Sequence, residues 1–296
     1  MTQNLGMQNN KLEYLKLHIS VLLAGFTGLL AKLTSLNEVM IVWYRMLFAF
    51  VIFSVMLLIM KKKPAENIKD ALKITGLGAL LAIHLIFFFG SMKYATLSIG
   101  VVCYSLVGFF TVIMEPLVLK TKFSFLELFY SLIAVLGIGL IFNFDTSYRF
   151  GIVLGVISAA LFALYTLFNK TILQGKSSRS MLFYELFGGA LFMGLFLPIY
   201  IPISHTTQIL PIGLDWLWLI LLAFFCTVIL YLLHIAVLKT LSAFTVSLVG
   251  NLEPVYGIIL AVLFLGEAQD FTLSFYIGMV LIFSSVFLQS VVKKNV

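Results

Sequence analysis

The amino-acid sequence predicts an all-α integral membrane protein in which ten transmembrane helices form two inverted repeats of five. Two observations support this fold class. Of the 296 residues, 62% are hydrophobic and 10% are charged, whereas a soluble globular chain has roughly 45–50% and about 25%. The apolar residues also fall into long runs separated by short polar segments. We therefore expect most of the surface to face membrane lipid.

Ten apolar runs are long enough to be transmembrane helices, since a helix needs about 20 mostly apolar residues to cross roughly 30 Å of hydrocarbon. The predicted spans are 15–33, 39–60, 71–92, 96–119, 124–142, 150–172, 180–201, 214–238, 242–265 and 271–292. Strands of a membrane barrel alternate polar and apolar residues. Segments such as 51–60 are apolar throughout, so helices are favoured over a barrel.

Lysine and arginine residues are distributed unequally between the two sides of these spans. If the N-terminus is inside, the cytoplasmic side carries most of them, whereas the outside carries only Lys32, Lys93 and Arg149. Cytoplasmic loops of membrane proteins carry an excess of Lys and Arg. We therefore expect a multi-pass protein of the cell membrane (inner or plasma membrane) with both termini in the cytoplasm.

The predicted spans divide into two groups of five at the short polar segment 143–149. Because five is odd, two similar halves must insert with opposite orientations, and such inverted repeats recur in secondary transporters with the substrate site between the halves. The predicted organisation is a cytoplasmic tail (1–14), a first repeat (15–142), a linker (143–149), a second repeat (150–292) and a cytoplasmic tail (293–296).

The ninth span carries the most distinctive motif, LSAFTVSLVGNLEPVY at residues 241–256, followed by LFLGE at 263–267. The first half has a looser copy, MKYATLS at 92–98 and the pair Glu115-Pro116. With Arg45 in the second span, these features resemble EamA-type members of the drug/metabolite transporter superfamily, as two EamA-like repeats. The first half departs from the pattern at Phe109-Phe110, which replace the polar residue and proline of the second half.

This resemblance implies a secondary transporter that exports or exchanges small metabolites, such as amino acids or related amphipathic compounds, by alternating access. A small-molecule substrate is the expected partner, and a proton is a candidate coupling ion. The sequence predicts no particular oligomeric state.

Glu253 is the charged residue best placed inside a predicted span. Counted from Ser242 at 1.5 Å per residue, it lies about 16 Å into its helix, near the middle of the membrane. Pro254 cannot donate a hydrogen bond to the Gly250 carbonyl, and Asn251 adds further polar atoms. We expect Glu253 and Asn251 to bind substrate or a proton. The alternative is an ion pair or hydrogen bond that only holds helices together.

Further candidates for the transport site are charged or aromatic residues within spans. Arg45 is expected to bind an anionic substrate group or a carboxylate, and the alternatives are helix packing or extension to the membrane surface. Glu185 and His84 are candidates for substrate or proton binding, with helix packing as the alternative. An aromatic lining is predicted from Tyr104, Tyr165, Tyr231, Tyr256 and Trp43, unless these residues face lipid.

Other function classes find less support in the sequence. An intramembrane enzyme needs a nucleophile with a base, a carboxylate pair or a metal set, and neither a membrane-embedded Asp nor a His cluster occurs. We therefore expect no catalytic residue, metal site or cofactor. Nucleic-acid binding is not expected, because the basic residues form short clusters between apolar runs. An intramembrane enzyme and a passive channel or scaffold remain the alternatives to a transporter.

Overall fold

The all-helical prediction is confirmed by a computed structural model, which describes residues 2–64, 66–144, 146–250 and 252–292 and contains no strand among them. The α-helices are α1 (Thr2–Lys32), α2 (Glu38–Ile59), α3 (Ile68–Tyr94), α4 (Leu97–Tyr104), α5 (Val107–Leu119), α6 (Phe125–Phe144), α7 (Arg149–Ile172), α8 (Ser178–Ser204), α9 (Asp215–Ala223), α10 (Leu230–Val237), α11 (Ala243–Gly250), α12 (Glu253–Leu260) and α13 (Leu273–Val292). The predicted C-terminal tail, 293–296, lies outside the described residues.

The ends of the two repeats differ in detail from the prediction. Helix α1 begins at Thr2, so the segment predicted as a tail, 1–14, is helical from that residue onward. Most residues of the predicted linker, 143–149, are helical. Helix α6 ends at Phe144, a single 3₁₀ turn covers Thr146–Tyr148, and α7 begins at Arg149.

Seven helical segments in the described part of the chain are long and apolar enough to cross a membrane. They are Lys11–Lys32, Glu38–Ile59, Ile68–Tyr94, Leu97–Leu119, Thr146–Ile172, Ser178–Ser204 and Asp215–Val237. Three shorter apolar helices are Phe125–Leu140, Glu253–Leu265 and Leu273–Ser285. The chain is therefore an integral multi-pass membrane protein, while the count of ten spans stays a prediction.

Three of the predicted spans are not uniform α-helices. The fourth is divided into α4 and α5 at Ser105-Leu106, and the ninth into α11 and α12 between Gly250 and Glu253. The eighth contains a π-helical turn, Phe224–Ile229, between α9 and α10. The predicted spans 96–119 and 214–238 agree with the membrane-length segments Leu97–Leu119 and Asp215–Val237. The interruptions within them and within 242–265 were not predicted. Long apolar composition predicts a membrane span but does not predict where its backbone hydrogen bonding changes.

Polar residues just before several helices define where they begin. The Asn37 side chain accepts a hydrogen bond from the Met40 amide over 2.9 Å at the start of α2. Asn67 does the same for Asp70 at the start of α3, also over 2.9 Å. Such caps satisfy amide groups that have no partner within the first helical turn.

Helices α3 and α8 pack with their backbones in contact. A Cβ atom added to Gly78 would lie 1.9 Å from the Glu185 carbonyl oxygen, and one added to Gly188 would lie 2.0 Å from the Thr75 carbonyl oxygen. No side chain other than hydrogen fits at either position. This contact fixes the depth of Glu185 relative to α3.

The two halves of the chain interlock rather than pack side by side. Helix α1 packs against α10 and α12 of the second half, whereas α7 packs against α3, α4 and α5 of the first. Helix α8 packs against α2 and α3. Helices α6 and α13 pack mainly against each other. The centre of the molecule is therefore built from both halves.

The two ends of the helical bundle are named here by their charge. The basic end is the one at which α1 begins, where Lys61, Lys62 and Lys63 follow α2. The far end is the one at which α1 ends at Lys32 and α3 ends beside Lys93.

Candidate functional site

A narrow cavity lies between the halves, at the level of the breaks between α4 and α5 and between α11 and α12. Residues from both halves line it, among them Arg45, His84, Tyr104, Phe162, His234 and Glu253. The cavity offers about 50 Å³ to the centres of water molecules, and one water needs about 10–15 Å³. In this conformation the cavity therefore has room for only a few waters.

Arg45 is fixed in the cavity wall by the second half of the chain. The side chain is 1% exposed. Its Nε donates to the Thr227 hydroxyl over 2.7 Å, and its Nη2 donates to the Cys226 carbonyl. Its guanidinium carbon also lies 5.6 Å from the centre of the Phe89 ring. The alternative in which Arg45 extends to the membrane surface is therefore wrong.

The π-helical turn explains how a carbonyl becomes available to Arg45. A π turn shifts backbone bonding from i−4 to i−5 and frequently marks functional sites. Both acceptors of Arg45, the Cys226 carbonyl and the Thr227 hydroxyl, lie on this turn. The Thr227 hydroxyl in turn donates to the Leu222 carbonyl over 2.9 Å. The acceptors are thus positioned by the backbone of α9 and α10.

Glu253 lies in the same cavity at the start of α12. It is 5% exposed and is followed by Pro254 in the first turn of that helix. Among the described residues, no ion pair within 4.0 Å joins Glu253 to Arg45. The third guanidinium nitrogen, Arg45 Nη1, is buried without a hydrogen-bond partner. A guanidinium and a carboxyl group therefore face one cavity without direct contact between them.

Aromatic rings form one wall of the cavity. The ring of Phe162 lies 4.8 Å from His84 and 5.2 Å from Tyr104, measured between ring centres. His84 is held in place by Ser158, whose hydroxyl lies 2.9 Å from His84 Nδ1 and whose carbonyl lies 3.0 Å from it. Tyr231 and His234 of α10 extend the wall. This wall suits the apolar part of an amphipathic molecule.

Glu185 is buried in a separate polar cluster. Its side chain is 0% exposed. Tyr165 donates its hydroxyl to Glu185 Oε2 over 2.9 Å, and Asn169 donates its amide nitrogen to Glu185 Oε1 over 2.6 Å. None of these three residues is among those that line the cavity. Tyr165, which was expected to line the cavity, and the candidate Glu185 therefore lie behind the residues that line it.

Two other predicted lining residues pack between helices instead. A Cβ atom added to Gly194 would lie 3.3 Å from the Trp43 ring, which places Trp43 against α8. A Cβ atom added to Gly25 would lie 2.5 Å from Tyr256 Cβ, which places Tyr256 against α1. Neither is among the described residues that line the cavity. Asn251 lies outside the described residues.

Sequence reasoning missed Thr227 and Phe162. Thr227 is a polar residue in the middle of an apolar run, which is a signal that it has a buried partner. Phe162 gives no such signal, because the chain has 29 Phe residues. Among the described residues, no group of three His, Cys, Asp or Glu side chains is placed to hold a metal ion.

Comparison with known proteins gives a family match and several relatives. Residues 11–143 and 149–291 each match the model of the EamA-like transporter family. A relative from Bacillus subtilis (strain 168), named as an uncharacterized transporter YxxF, is 26% identical over 290 residues, 95% of this chain and 90% of the relative. A protein of Dictyostelium discoideum named GDP-fucose transporter 1 is 26% identical over 244 residues, 77% of this chain and 65% of that protein.

The fold is also similar to that of another protein whose crystal structure is known. The TM-score is 0.69 at 15% sequence identity, and the match covers 93% of this chain and 95% of the other. At this identity the likeness shows a shared fold.

Proposed function

Since the chain belongs to the EamA-like transporter family, we propose that it is a secondary transporter that exports or exchanges small zwitterionic metabolites, such as amino acids, by alternating access. Family membership makes it a transporter of small molecules rather than an enzyme. The repeat matches at 11–143 and 149–291 agree with two five-helix halves of opposite orientation. To family membership the proposal adds the substrate class and the transport mechanism.

The observation that carries the substrate class is that Arg45 and Glu253 line the same cavity. Arg45 Nη1 has no partner, so it is available to a substrate carboxylate, and guanidinium groups suit carboxylates geometrically. Glu253 has no cation within ion-pair distance among the described residues, so it is available to an ammonium group. A molecule with both groups compensates both buried charges, which lowers the cost of their burial.

A nucleoside diphosphate sugar fits this cavity less well, although one relative is named as a GDP-fucose transporter. A diphosphate needs several cationic groups, whereas the cavity sets one guanidinium against one carboxylate. The small volume of the cavity also favours a compact substrate. We therefore propose an amino acid rather than a nucleotide sugar.

The broken helices support alternating access. Unwound helix segments near the membrane centre recur beside the substrate sites of secondary transporters. Both breaks in this chain adjoin cavity residues, Tyr104 and Val107 at one and Gly250 and Glu253 at the other. At the basic-end side, the Thr111 and Ser247 hydroxyls lie 3.1 Å apart and join α5 to α11. Separation of this contact is the proposed route by which the cavity opens towards the basic end.

Counterflow in proteoliposomes tests this function. Vesicles loaded with unlabelled L-amino acids should take up a radiolabelled mixture of L-amino acids faster than empty vesicles, because a carrier exchanges one substrate for another. A passive channel gives no acceleration, and vesicles without protein provide the baseline. Equal uptake by loaded and empty vesicles would reject the carrier mechanism for amino acids.

A further inference from the structure

The buried carboxyl group of Glu185 has no cationic partner in the part of the chain that the structure describes. It accepts hydrogen bonds from two neutral donors, the Tyr165 hydroxyl and the Asn169 amide. Among the described residues, no Lys, Arg or His lies within 4.0 Å of it. An ionised carboxylate buried without a cation is costly. The neutral carboxylic acid is therefore the form that this site favours.

The surrounding helices supply no charge to offset an ionised Glu185. Arg45 on α2 is bonded to Thr227 and Cys226, and His84 on α3 is bonded to Ser158. The titratable side chains on the helices that pack against α8 are Glu38, Tyr44 and Arg45 on α2, Lys69, Asp70, Lys73, His84, Lys93 and Tyr94 on α3, and Tyr231 and His234 on α10. Helix α7, which supplies Tyr165 and Asn169, also carries Arg149 and Lys170. In the described structure, none of them forms a hydrogen bond or ion pair with Glu185.

Asn169 offers a matching acceptor for a carboxylic acid. Its Oδ1 atom is buried and has no hydrogen-bond partner. If the amide turns over, a protonated Glu185 donates to this oxygen. The 2.6 Å separation between the Asn169 amide and Glu185 Oε1 is typical of an O–H···O bond. A bound proton thus gives the Glu185 hydroxyl an acceptor in Asn169.

The cluster lies between the central cavity and the basic end of the bundle. On the cavity side, the Tyr165 ring lies 6.0 Å from Tyr231 and 6.5 Å from His234, measured between ring centres. Both of these residues line the cavity, and His234 Nε2 is buried without a partner. On the other side, Asn169 adjoins Lys170, which lines a pocket at the basic end. The cluster therefore lies next to the cavity wall on one side and next to a residue of the basic-end pocket on the other.

We propose that Glu185, Tyr165 and Asn169 form a proton-binding site separate from the substrate cavity, and that its loading and release couple substrate movement to a proton gradient. This inference rests on the proposed transport function. In the coupled step the carboxyl O–H bond breaks and the proton passes to water in the cavity or at the basic end. The carboxylate that remains keeps its hydrogen bond from Tyr165 and regains one from the Asn169 amide nitrogen. Reloading reverses the step.

The proton-binding site is tested first without any substrate. Infrared difference spectra of the purified protein, recorded across a pH titration, should show a carboxylic-acid carbonyl band that Glu185→Gln removes. Asp70→Asn, a change at the surface ion pair with Lys176, should leave that band unchanged. A band that persists in Glu185→Gln would overturn the assignment.

Coupling is tested in proteoliposomes that contain a pH-sensitive dye. A gradient of mixed L-amino acids should move protons in the wild type and in Asp70→Asn. In Glu185→Gln this proton movement should be lost, whereas counterflow of radiolabelled L-amino acids is retained. Proton movement in Glu185→Gln equal to that of the wild type would overturn the coupling role. If the wild type shows no counterflow, the proposed function and the coupling role fail together, while the infrared band still decides whether Glu185 binds a proton.

Discussion

Arg45 donates from Nε to the hydroxyl of Thr227 over 2.7 Å, and this bond joins the first half of the chain to the second. The guanidinium is 1% exposed, so its position depends on these acceptors and not on solvent. Thr227 thus acts as a positioning residue for Arg45. The guanidinium of Arg45 is therefore held in the cavity wall by a contact between the two halves.

Replacing Thr227 by Val keeps the shape of the side chain and removes the acceptor. A buried donor left unsatisfied costs roughly 1–3 kcal/mol, and more for a charged group. We expect Thr227→Val to lower the thermal unfolding temperature and to weaken amino-acid counterflow. Thr171→Val is the control, because among the described residues the Thr171 hydroxyl bonds only to the Leu167 carbonyl of its own helix, over 3.0 Å. Equal behaviour of the two variants would contradict the role of Thr227.

Gly78 and Gly76 lie on the same helix and provide a test position and a control position for close helix packing. A Cβ atom at Gly78 would lie 1.9 Å from the Glu185 carbonyl oxygen, whereas one at Gly76 would meet nothing within 4 Å. Overpacking costs typically 1–3 kcal/mol, and Ala is favoured over Gly in an open helix position by roughly 0.5–1 kcal/mol. Gly78→Ala should therefore destabilise the protein and Gly76→Ala should not, as measured by thermal unfolding in detergent. Tolerance of Gly78→Ala would show that α3 and α8 are further apart.

The sequence predicts the helices and the central position of Glu253, because both follow from the length of apolar runs. It does not predict the break at Ser105-Leu106, since neither of these residues is proline or glycine. The acceptors of Arg45 lie on a π turn, and such turns are set by tertiary packing rather than by local composition. The sequence likewise does not predict whether an aromatic side chain lines the cavity or packs against a neighbouring helix. Trp43 and Tyr256 pack between helices, although nothing in the sequence distinguishes them from Tyr104.

Glu267 holds the beginning of α4 at the far end of the bundle. Its two carboxylate oxygens accept hydrogen bonds from the Leu97 and Ser98 amides, each over 2.9 Å. A negative charge at a helix N-terminus contributes typically 0.3–1 kcal/mol, and up to about 2 kcal/mol when it is partly buried.

Glu267→Gln should therefore lower stability by about 1 kcal/mol and increase hydrogen exchange at the Leu97 and Ser98 amides. The comparison variant is Glu13→Gln, which breaks only a surface pair with Lys16 and should change stability by less than about 0.5 kcal/mol. Unchanged protection of the two amides in Glu267→Gln would show that the carboxylate does not hold α4.

The charge distribution predicts that both ends of the chain face the cytoplasm. The basic end of the bundle carries Lys61, Lys62 and Lys63, and basic loops remain on the cytoplasmic side. A cysteine-containing tag added at either terminus should react with a membrane-impermeant maleimide only after the cells are made permeable. A tag between α3 and α4 should react in intact cells. External labelling of one terminus alone would reject an even number of spans.

The central claim is that Glu253 and Arg45 bind the two charges of one zwitterionic substrate. The most direct measurement is counterflow of radiolabelled L-amino acids by the wild type and by Glu253→Gln, with unlabelled amino acids or their deaminated analogues as competitors. In the wild type only the amino acids should compete. A hydrogen bond to a charged group contributes about 1.5–3 kcal/mol, so Glu253→Gln should weaken amino-acid competition about tenfold or more and abolish the preference over the deaminated analogues. Unchanged affinity and unchanged preference in Glu253→Gln would contradict the account.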